Sequence, residues 1–554
     1  MFRTSSPRCE RDLPGAKVKS TDVIEGGDMK RITSIRHNGV MFPPYQPMGF
    51  TIRCRGRQVK LTPEQEEMAV AWVKKIGTPQ AEDPVFVKNF FGDFCRALGL
   101  EETLGPQDFD FSEVVKWVEN ERKKKESMTK EEKKRLAEER KRLREENRGK
   151  YGYVLINGEK VELGNYAVEP PCIFVGRGKH PLRGRWKPRI YPEDVVLNLS
   201  PDAPTPPLPD GRKWGGRVFD PEALWVAKWK DKLTGKTKYI WISEASVFRQ
   251  EREIEKFNTA RKLERMLGKI REHIERELAS EDVKRRKIAT VAYLIDELRM
   301  RVGDEKDEDE LDTVGATTLR GSHIKIDDSG TVRFDFLGKD AVRWVREIRP
   351  PKQVLDNLRE FIKGPRDQVF DGIRSEDVNA FFSEVVPGLT AKVFRTYHAT
   401  RAVKEYLSKN SVRAEDPEVK KKYVAKMANL QAAVTCNHRR KLPKNWRQSL
   451  EKKMKRLREL REQLRQARLK KGRSRRRIEA LKRRIAALEL NIELARATRD
   501  YNLNTSLKSY VDPRVFIRWA ERVGYDWRRI YPKGLQRKFT WAESSRNDSA
   551  AEEL

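Results

Sequence analysis

The side chains that could do chemistry are spaced badly for metal or thiol work. The five cysteines, Cys9, Cys54, Cys95, Cys172 and Cys436, lie far apart with no CxxC pair, which fits reduced intracellular thiols better than a zinc knuckle or a disulfide framework. The six histidines never stand three to five residues from one another, so the HxxxH pattern of a metal cage is missing. No GxxxxGK[ST] loop is present to cradle a nucleotide. No metal and no other cofactor is therefore expected. What the chain holds in excess is fixed positive charge: 118 Lys+Arg against 84 Asp+Glu, a formal +34. Such an excess must face a polyanion or stand as self-repelling solvated surface, and nucleic acid is the leading partner. Arginine suits that partner chemically. Its planar fork matches phosphate oxygens, stays ionised, and is worth most where water is excluded.

Five segments in chain order carry the candidate chemistry. Leu298-Arg299-Met300-Arg301-Val302-Gly303 is followed by Asp312-Thr313-Val314-Gly315. Next come Phe334-Asp335-Phe336-Leu337-Gly338-Lys339-Asp340, the run from Gly388 to Tyr397, Cys436-Asn437-His438-Arg439, and the run from Thr505 to Arg514. In that order they resemble the first arginine segment, the lysine hairpin, the second arginine segment, the histidine segment and the active-site tyrosine peptide of the eukaryotic type IB DNA topoisomerases. Similarity at His37 to Pro47, Glu169 to Pro181 and Trp225 to Tyr239 extends the resemblance over nearly everything after residue 35. A lone Tyr in an Arg-rich helix is ordinarily core or surface, and a lone His ordinarily structural; the joint order of five motifs decides otherwise.

The resemblance implies a catalytic set of Tyr510, Arg301, Lys339, Arg395 and His438. Attack on a phosphodiester spreads charge over the non-bridging oxygens, and Arg301 and Arg395, with His438 as a third donor, would meet it. Tyr510 would be the nucleophile, since a phenol forms an ester that conserves the energy of the broken bond. Lys339, at a hairpin tip, would protonate the leaving 5′ oxygen. The resemblance also carries Asn165, Arg177 in Gly176-Arg177-Gly178, Trp225, Lys238, Tyr239, Lys256, Thr313, Asn379, Lys392 and Thr505 as DNA-binding positions, which place a duplex rather than read its sequence. The sequence departs from the family in three places. Lys508 is displaced by one from the usual Ser-Lys-x-x-Tyr spelling. Ser509 stands where many relatives have the Asn that helps bind camptothecin. Val175 replaces a basic residue before Gly-Arg-Gly.

The elements that must position these residues are partly legible. At 554 residues with 12 Trp and 22 Phe the chain has material for several cores. Residues 1–35 lack periodicity and read as a disordered tail. Residues 49–148 read as a mixed α/β cap that ends in a solvated, charged helix or helix pair. Residues 36–48 and 149–246 read as a sheet-containing lobe, with strand patterns around the turn at Thr234-Gly235. Residues 247–440 read as a mostly helical catalytic core interrupted by strands between Ile324 and Phe336. Residues 441–499 carry 22 Lys+Arg and 6 Asp+Glu, a net 22 − 6 = +16. Leu450, Lys453, Leu457, Leu460, Leu464 and Ala467 step by threes and fours, as do Ile478, Leu481, Ile485, Leu488, Ile492 and Ala495, so an antiparallel coiled-coil hairpin linker is expected. Residues 500–554 would return Tyr510.

The fold expected is therefore multidomain: α+β cap and sheet lobes joined to a helical tyrosine recombinase/type IB topoisomerase catalytic domain. The function expected is relaxation of positive and negative supercoils in double-stranded DNA through a 3′-phosphotyrosine intermediate, rotation and religation, without ATP or metal. Core and tyrosine segments share one chain, so a monomer would suffice. No run of 18 apolar residues occurs, so no membrane partner is expected. The nucleus is the expected compartment, with the mitochondrion as the alternative. Two rival readings stand beside this one, a tyrosine recombinase and a non-catalytic basic nucleic-acid scaffold.

Overall fold

A computed structural model describes residues 31–176, 178–303, 314–339, 342–469 and 475–544. The expected tail falls outside these as far as residue 30. Order begins before His37, because Ile32 and Ile35 are buried and strand Ile35–His37 pairs with Tyr153–Ile156. That partner continues into Glu159–Glu162 through Asn157-Gly158, both at positive φ (52° and 80°), the backbone demanded by a two-residue hairpin and tolerated by these two residue types. A four-stranded sheet follows in the order Gly216–Val218, Val195–Asn198, Trp225–Lys230, Thr237–Trp241. Its last two strands form the hairpin expected around Thr234-Gly235. Asp231 fixes that turn by accepting the amides of Leu233 and Thr234, each at 3.0 Å.

The cap is built on aromatic packing. Helix α1 (Pro63–Val73) starts at a Thr62–Gln65 capping box, and α2 (Pro84–Ala97) buries Phe86, Phe90, Phe91 and Phe94, with Phe90 stacked on Trp72 at 4.9 Å. The charged stretch that follows is a helix pair, α3 (Ser112–Ser127) and α4 (Lys130–Tyr151), the second opened by a Thr129–Glu132 capping box. Ile173 and Trp186 join the same apolar core, so the cap is not closed by residues 49–148 alone.

Helices α5 (Val247–Leu278), α6 (Val283–Leu298), α7 (Lys352–Phe361), α8 (Ser375–Ser383) and α9 (Ala391–Lys409) surround a three-stranded antiparallel sheet of Ile324–Ile326, Val332–Gly338 and Val342–Ile348. The third strand goes beyond the expected set. Only Trp344 of its residues is buried, so its alternation is a weak signal. Helix α9 is a shared wall: Phe394 and Tyr397 enter the core of α5 to α8, while Ala399, Val403 and Leu407 enter a second core with α10 (Glu418–Thr435).

Two helices, α11 (Trp446–Leu469) and α12 (Arg475–Ala497), then pack along Leu460, Leu481 and Ile485. Each is about 35 Å long at 1.5 Å per residue. Residues 470–474, between them, lie outside the described residues. The chain returns in α13 (Leu503–Ser509) and α14 (Pro513–Arg522). Among the described residues this segment has no separate core; Val511, Phe516, Trp519 and Phe539 pack with α9, α10 and Phe257. Among the described residues no helix is long and apolar enough to cross a membrane.

The link between α13 and α14 is held by a buried ion pair. Asp512 caps α14 through the Arg514 amide at 3.0 Å and binds the Arg514 guanidinium at 2.8 Å, and Arg514 reaches Asn258 on α5 at 3.0 Å. Both charged side chains are only about 5% exposed. Removing one partner of such a pair leaves an uncompensated buried charge, so Asp512→Ala is expected to lose roughly 3–5 kcal/mol, read as a lowered urea midpoint. An unchanged midpoint would mean that solvent reaches the pair.

Candidate active site

The structure brings Tyr510, Arg301, Arg395 and His438 together and sets Lys339 on the rim of the same cleft. Arg301 follows α6, which ends in Arg299 at a left-handed φ of 57°. That conformation is costly for a non-glycine residue, and it turns the chain so that Arg301 faces inward. The turn is locked by a close crossing: a Cβ on Gly315 would lie 2.3 Å from the Gly303 Cα and 2.7 Å from the Arg301 carbonyl, so no other residue fits there. Arg395, on α9, is 5% exposed and donates to the carbonyls of Arg299 (2.8 Å) and Cys436 (2.9 Å). His438 is aimed by Asn437, also left-handed at φ 52°, and its ring centroid lies 5.1 Å from that of Tyr510.

The tyrosine arrives next to the histidine because the base of the α11–α12 hairpin is tied. The Asn502 amide donates to the His438 carbonyl at 2.7 Å, the Arg440 amide to the Asp500 carbonyl at 2.9 Å, and Arg439 bridges Tyr501. The Arg395 guanidinium carbon sits 5.3 Å from the Tyr510 ring centroid. Lys339 directly follows strand Val332–Gly338 and is exposed. With Arg301, Arg395, His438, Asn437 and Thr505 it lines a cleft of about 220 Å³.

The electrostatics follow from burial. Desolvation, then the like charge of Arg395, lower the pKa of Arg301, while Tyr510 opposes them. For Tyr510, burial acts against ionisation, but Arg395 and Arg301 overcome it and bring the phenol below the ordinary tyrosine range. His438 is pushed down to about 3, by burial first and then by Arg395 and Arg301, so the ring is neutral near pH 7. Its Nδ1 lies 2.8 Å from the buried Ser506 hydroxyl. A Ser506 hydroxyl that donates to Nδ1 leaves Nε2 carrying the proton. Two polar atoms at this site, Arg395 Nε and His438 Nε2, are buried with no hydrogen-bond partner. Orphaned buried donors are costly and ask for an acceptor.

The remaining expected positions scatter. Arg177 and Thr313 lie outside the described residues. Asn165 is exposed and bonds its own turn at Ala167, and Tyr239 is 37% exposed beside Trp241. Lys238 is half-buried, opposite Trp229. Lys392 is exposed one turn before Arg395. Three others have partners within the fold: Trp225 is 7% exposed with its ring tilted against Tyr239, Asn379 accepts the Ala391 amide at 2.9 Å at the start of α9, and Lys256 donates to the Ser509 carbonyl at 3.3 Å. The displaced Lys508 pairs with Glu244 at 2.9 Å. Arg299, Asn437, the framework role of Ser506 and Thr400, whose hydroxyl donates to the Tyr510 carbonyl at 3.2 Å, are not legible in the residues, apart from the Asn before His438, which stands at a helix end.

Comparison with known proteins gives this geometry its family. The model of the eukaryotic DNA topoisomerase I DNA binding fragment matches residues 30–242, that of the eukaryotic DNA topoisomerase I catalytic core matches 245–471, and that of the C-terminal topoisomerase domain matches 482–550. DNA topoisomerase 1 of Homo sapiens is 32% identical over 92% of this chain and 70% of its own length. This chain belongs to the eukaryotic DNA topoisomerase I family. DNA topoisomerase I, mitochondrial, of Pan troglodytes is 34% identical over 92% of the chain and 89% of the relative, and DNA topoisomerase 1 beta of Arabidopsis thaliana is 35% identical over 95% and 60%. The chain spans about three-fifths of the plant and Candidozyma auris relatives. Membership in the topoisomerase I family accounts for the whole ordered set of motifs, from the Pro43-Pro44-Tyr45 loop to the Tyr510 peptide.

A buried neutral histidine has a thermodynamic signature. Unfolded, His438 takes up a proton near pH 6.5; folded, only near 3. The unfolded chain therefore binds the proton first, and stability falls as pH drops through 6.5 towards 3. Between pH 7 and pH 5 this amounts to roughly 2 kcal/mol, a loss that His438→Asn should lack. Parallel urea midpoint shifts in the two proteins over that range would show the ring to be open to water.

Proposed function

We propose that the chain is a type IB DNA topoisomerase that relaxes duplex DNA by transient cleavage of one strand. What carries the reading is the pair of orphaned donors, Arg395 Nε and His438 Nε2, beside a phenol already pulled towards ionisation. A phosphodiester in the cleft supplies the missing acceptors. Its non-bridging oxygens take hydrogen bonds from Arg301, Arg395 and His438, which stabilise the extra charge of the transition state. The Tyr510 oxygen attacks phosphorus, the bond to the 5′ oxygen breaks as the tyrosyl ester forms on the 3′ side, and Lys339 protonates the departing 5′ oxygen. The phenol's own proton leaves to solvent, helped by the two guanidiniums. The ester conserves the energy of the broken bond, so religation is the same step reversed, needs no ATP, and follows rotation driven by torsion stored in the DNA.

The domain reading goes with it: a cap (49–148), a sheet lobe (36–48 and 149–246), a catalytic core (247–440), a coiled-coil linker (441–499) and a C-terminal domain (500–554) that brings Tyr510 home. All five catalytic residues come from one chain, which supports action as a monomer on double-stranded DNA. One relative is named for the mitochondrion; the compartment proposed here is the nucleus, with the mitochondrion as the alternative.

Relaxation of a supercoiled plasmid in chelator without ATP tests the activity, and a plasmid free of defined sites separates it from a site-specific recombinase. Tyr510→Phe is expected to abolish relaxation and the covalent adduct while leaving DNA affinity nearly unchanged, because binding draws on many Lys and Arg. Adduct in that variant, or attachment to the 5′ end, would reject the assignment.

Lys339→Ala is expected to slow cleavage of ordinary DNA by about 10²-fold or more, since an unprotonated alkoxide leaves poorly. A 5′-bridging phosphorothiolate, whose leaving group needs no proton, should restore the rate. Equal slowing on both substrates would make Lys339 a phosphate-positioning residue.

A further inference from the structure

A helix leaves its last carbonyls without intrahelical partners, and α13 ends at Ser509, directly before Tyr510. Three consecutive carbonyls there are each met by a side chain from a different part of the fold. Lys538 Nζ donates to Lys508 at 3.1 Å, Lys256 Nζ to Ser509 at 3.3 Å, and Thr400 Oγ1 to Tyr510 at 3.2 Å. Thr400 comes from α9, Lys256 from α5, and Lys538 from the short helix Lys533–Lys538 beyond α14. The backbone around the proposed nucleophile is thus gripped from three directions.

Lys538 is the least expected of the three. Its side chain is only 5% exposed, and burying an ammonium is expensive unless it is paired and hydrogen-bonded. Glu253 at 3.3 Å and Glu244 at 3.8 Å supply the pairing. The same two carboxylates serve the neighbours: Glu253 binds Lys256 at 2.8 Å, and Glu244 binds the Lys508 side chain at 2.9 Å. Three lysines and two glutamates therefore alternate around the end of α13, and neither Lys538 nor Lys256 lines the cleft of Arg301, Arg395 and His438. A buried ion network rarely adds net stability over apolar packing of the same volume. What this one does offer is direction, because its donors end on the carbonyls of the two residues that precede Tyr510.

We propose that Lys538 is a positioning residue for the Tyr510 nucleophile: with Lys256 it fixes the carbonyls of Lys508 and Ser509 and so aims the phenol into the cleft. This rests on the reading of Tyr510 as the attacking group. In-line attack needs the reacting atoms held in a near-attack geometry, and a misplacement of about 1 Å costs on the order of 10²-fold in rate. The displaced lysine of the tyrosine peptide also acquires a role, since Lys508 completes the carboxylate pairing from outside.

The test compares wild type, Lys538→Met and Lys538→Arg in three measurements: single-turnover adduct formation on a labelled duplex, DNA affinity, and the titration of the Tyr510 ¹³Cζ resonance, identified by its absence in Tyr510→Phe. In Lys538→Met, adduct formation is expected to slow by about tenfold or more with DNA affinity within about twofold, because the phosphate contacts are intact. The Tyr510 titration should move up towards the ordinary tyrosine value as the phenol leaves the two guanidiniums, and Lys538→Arg, which keeps a cationic donor, should recover part of both effects. A Lys538→Met protein with wild-type rate and wild-type Tyr510 titration overturns the proposal. So does equal impairment of both variants alongside a collapsed thermal melt, which would make Lys538 an element of the fold alone. If wild type forms no adduct and the Tyr510 titration still moves in Lys538→Met, the topoisomerase reading fails while the positioning role stands.

Discussion

The guanidiniums of Arg301 and Arg395 are both withdrawn from water and close enough for each to feel the other's charge, and among the described residues neither is paired with a carboxylate. Two like charges at short range in a poorly screened site repel, so the arrangement persists only because the surrounding backbone enforces it. The Arg299 and Cys436 carbonyls hold Arg395, the left-handed turn at Arg299 commits Arg301, and the glycine crossing keeps that turn from relaxing. A neutral phenol relieves little of the repulsion, whereas a phosphodiester relieves much of it.

That constraint explains why the elements around the site come from such distant parts of the sequence. Helix α9 can carry Arg395 between two cores because it contributes apolar residues to both. The C-terminal segment packs into the second core instead of folding alone, so Tyr510 is delivered by the same contacts that stabilise α9 and α10. The buried Asp512–Arg514 pair then fixes the chain immediately after the tyrosine, Thr400 holds the carbonyl of the tyrosine itself, and the carbonyl contacts of Lys538 and Lys256 fix the chain immediately before.

Much of this was legible in the residues. The arginines, the histidine and the tyrosine were readable because their segments keep recognisable neighbours, and the hairpin helices because Leu460, Leu481 and Ile485 fall on a heptad spacing that does become buried. Other parts were not. Trp225 and Lys256 look like surface contacts in a basic sequence, yet Trp225 is mostly buried beside Tyr239 and Lys256 donates to a backbone carbonyl; residue type alone cannot separate these placements. Lys538 sits among other basic residues and gives no hint that it is buried. The strand Val342–Ile348 was hidden because one face of it carries a single buried side chain, and the left-handed Arg299 because arginine has no preference for that conformation.

Backbone bonds between His438 and Asn502, and between Arg440 and Asp500, join the outgoing and returning strands of the chain at the very root of the α11–α12 projection. The root behaves as a closed collar. Beyond it, and beyond the contact of Tyr423 on α10 with Glu493 on α12 at 2.6 Å, the length of the hairpin bears only weakly on the separation of the histidine from the tyrosine, because the ends of the loop are already fastened. The distance from the histidine to the tyrosine is thus set at the root of the two helices and not along them.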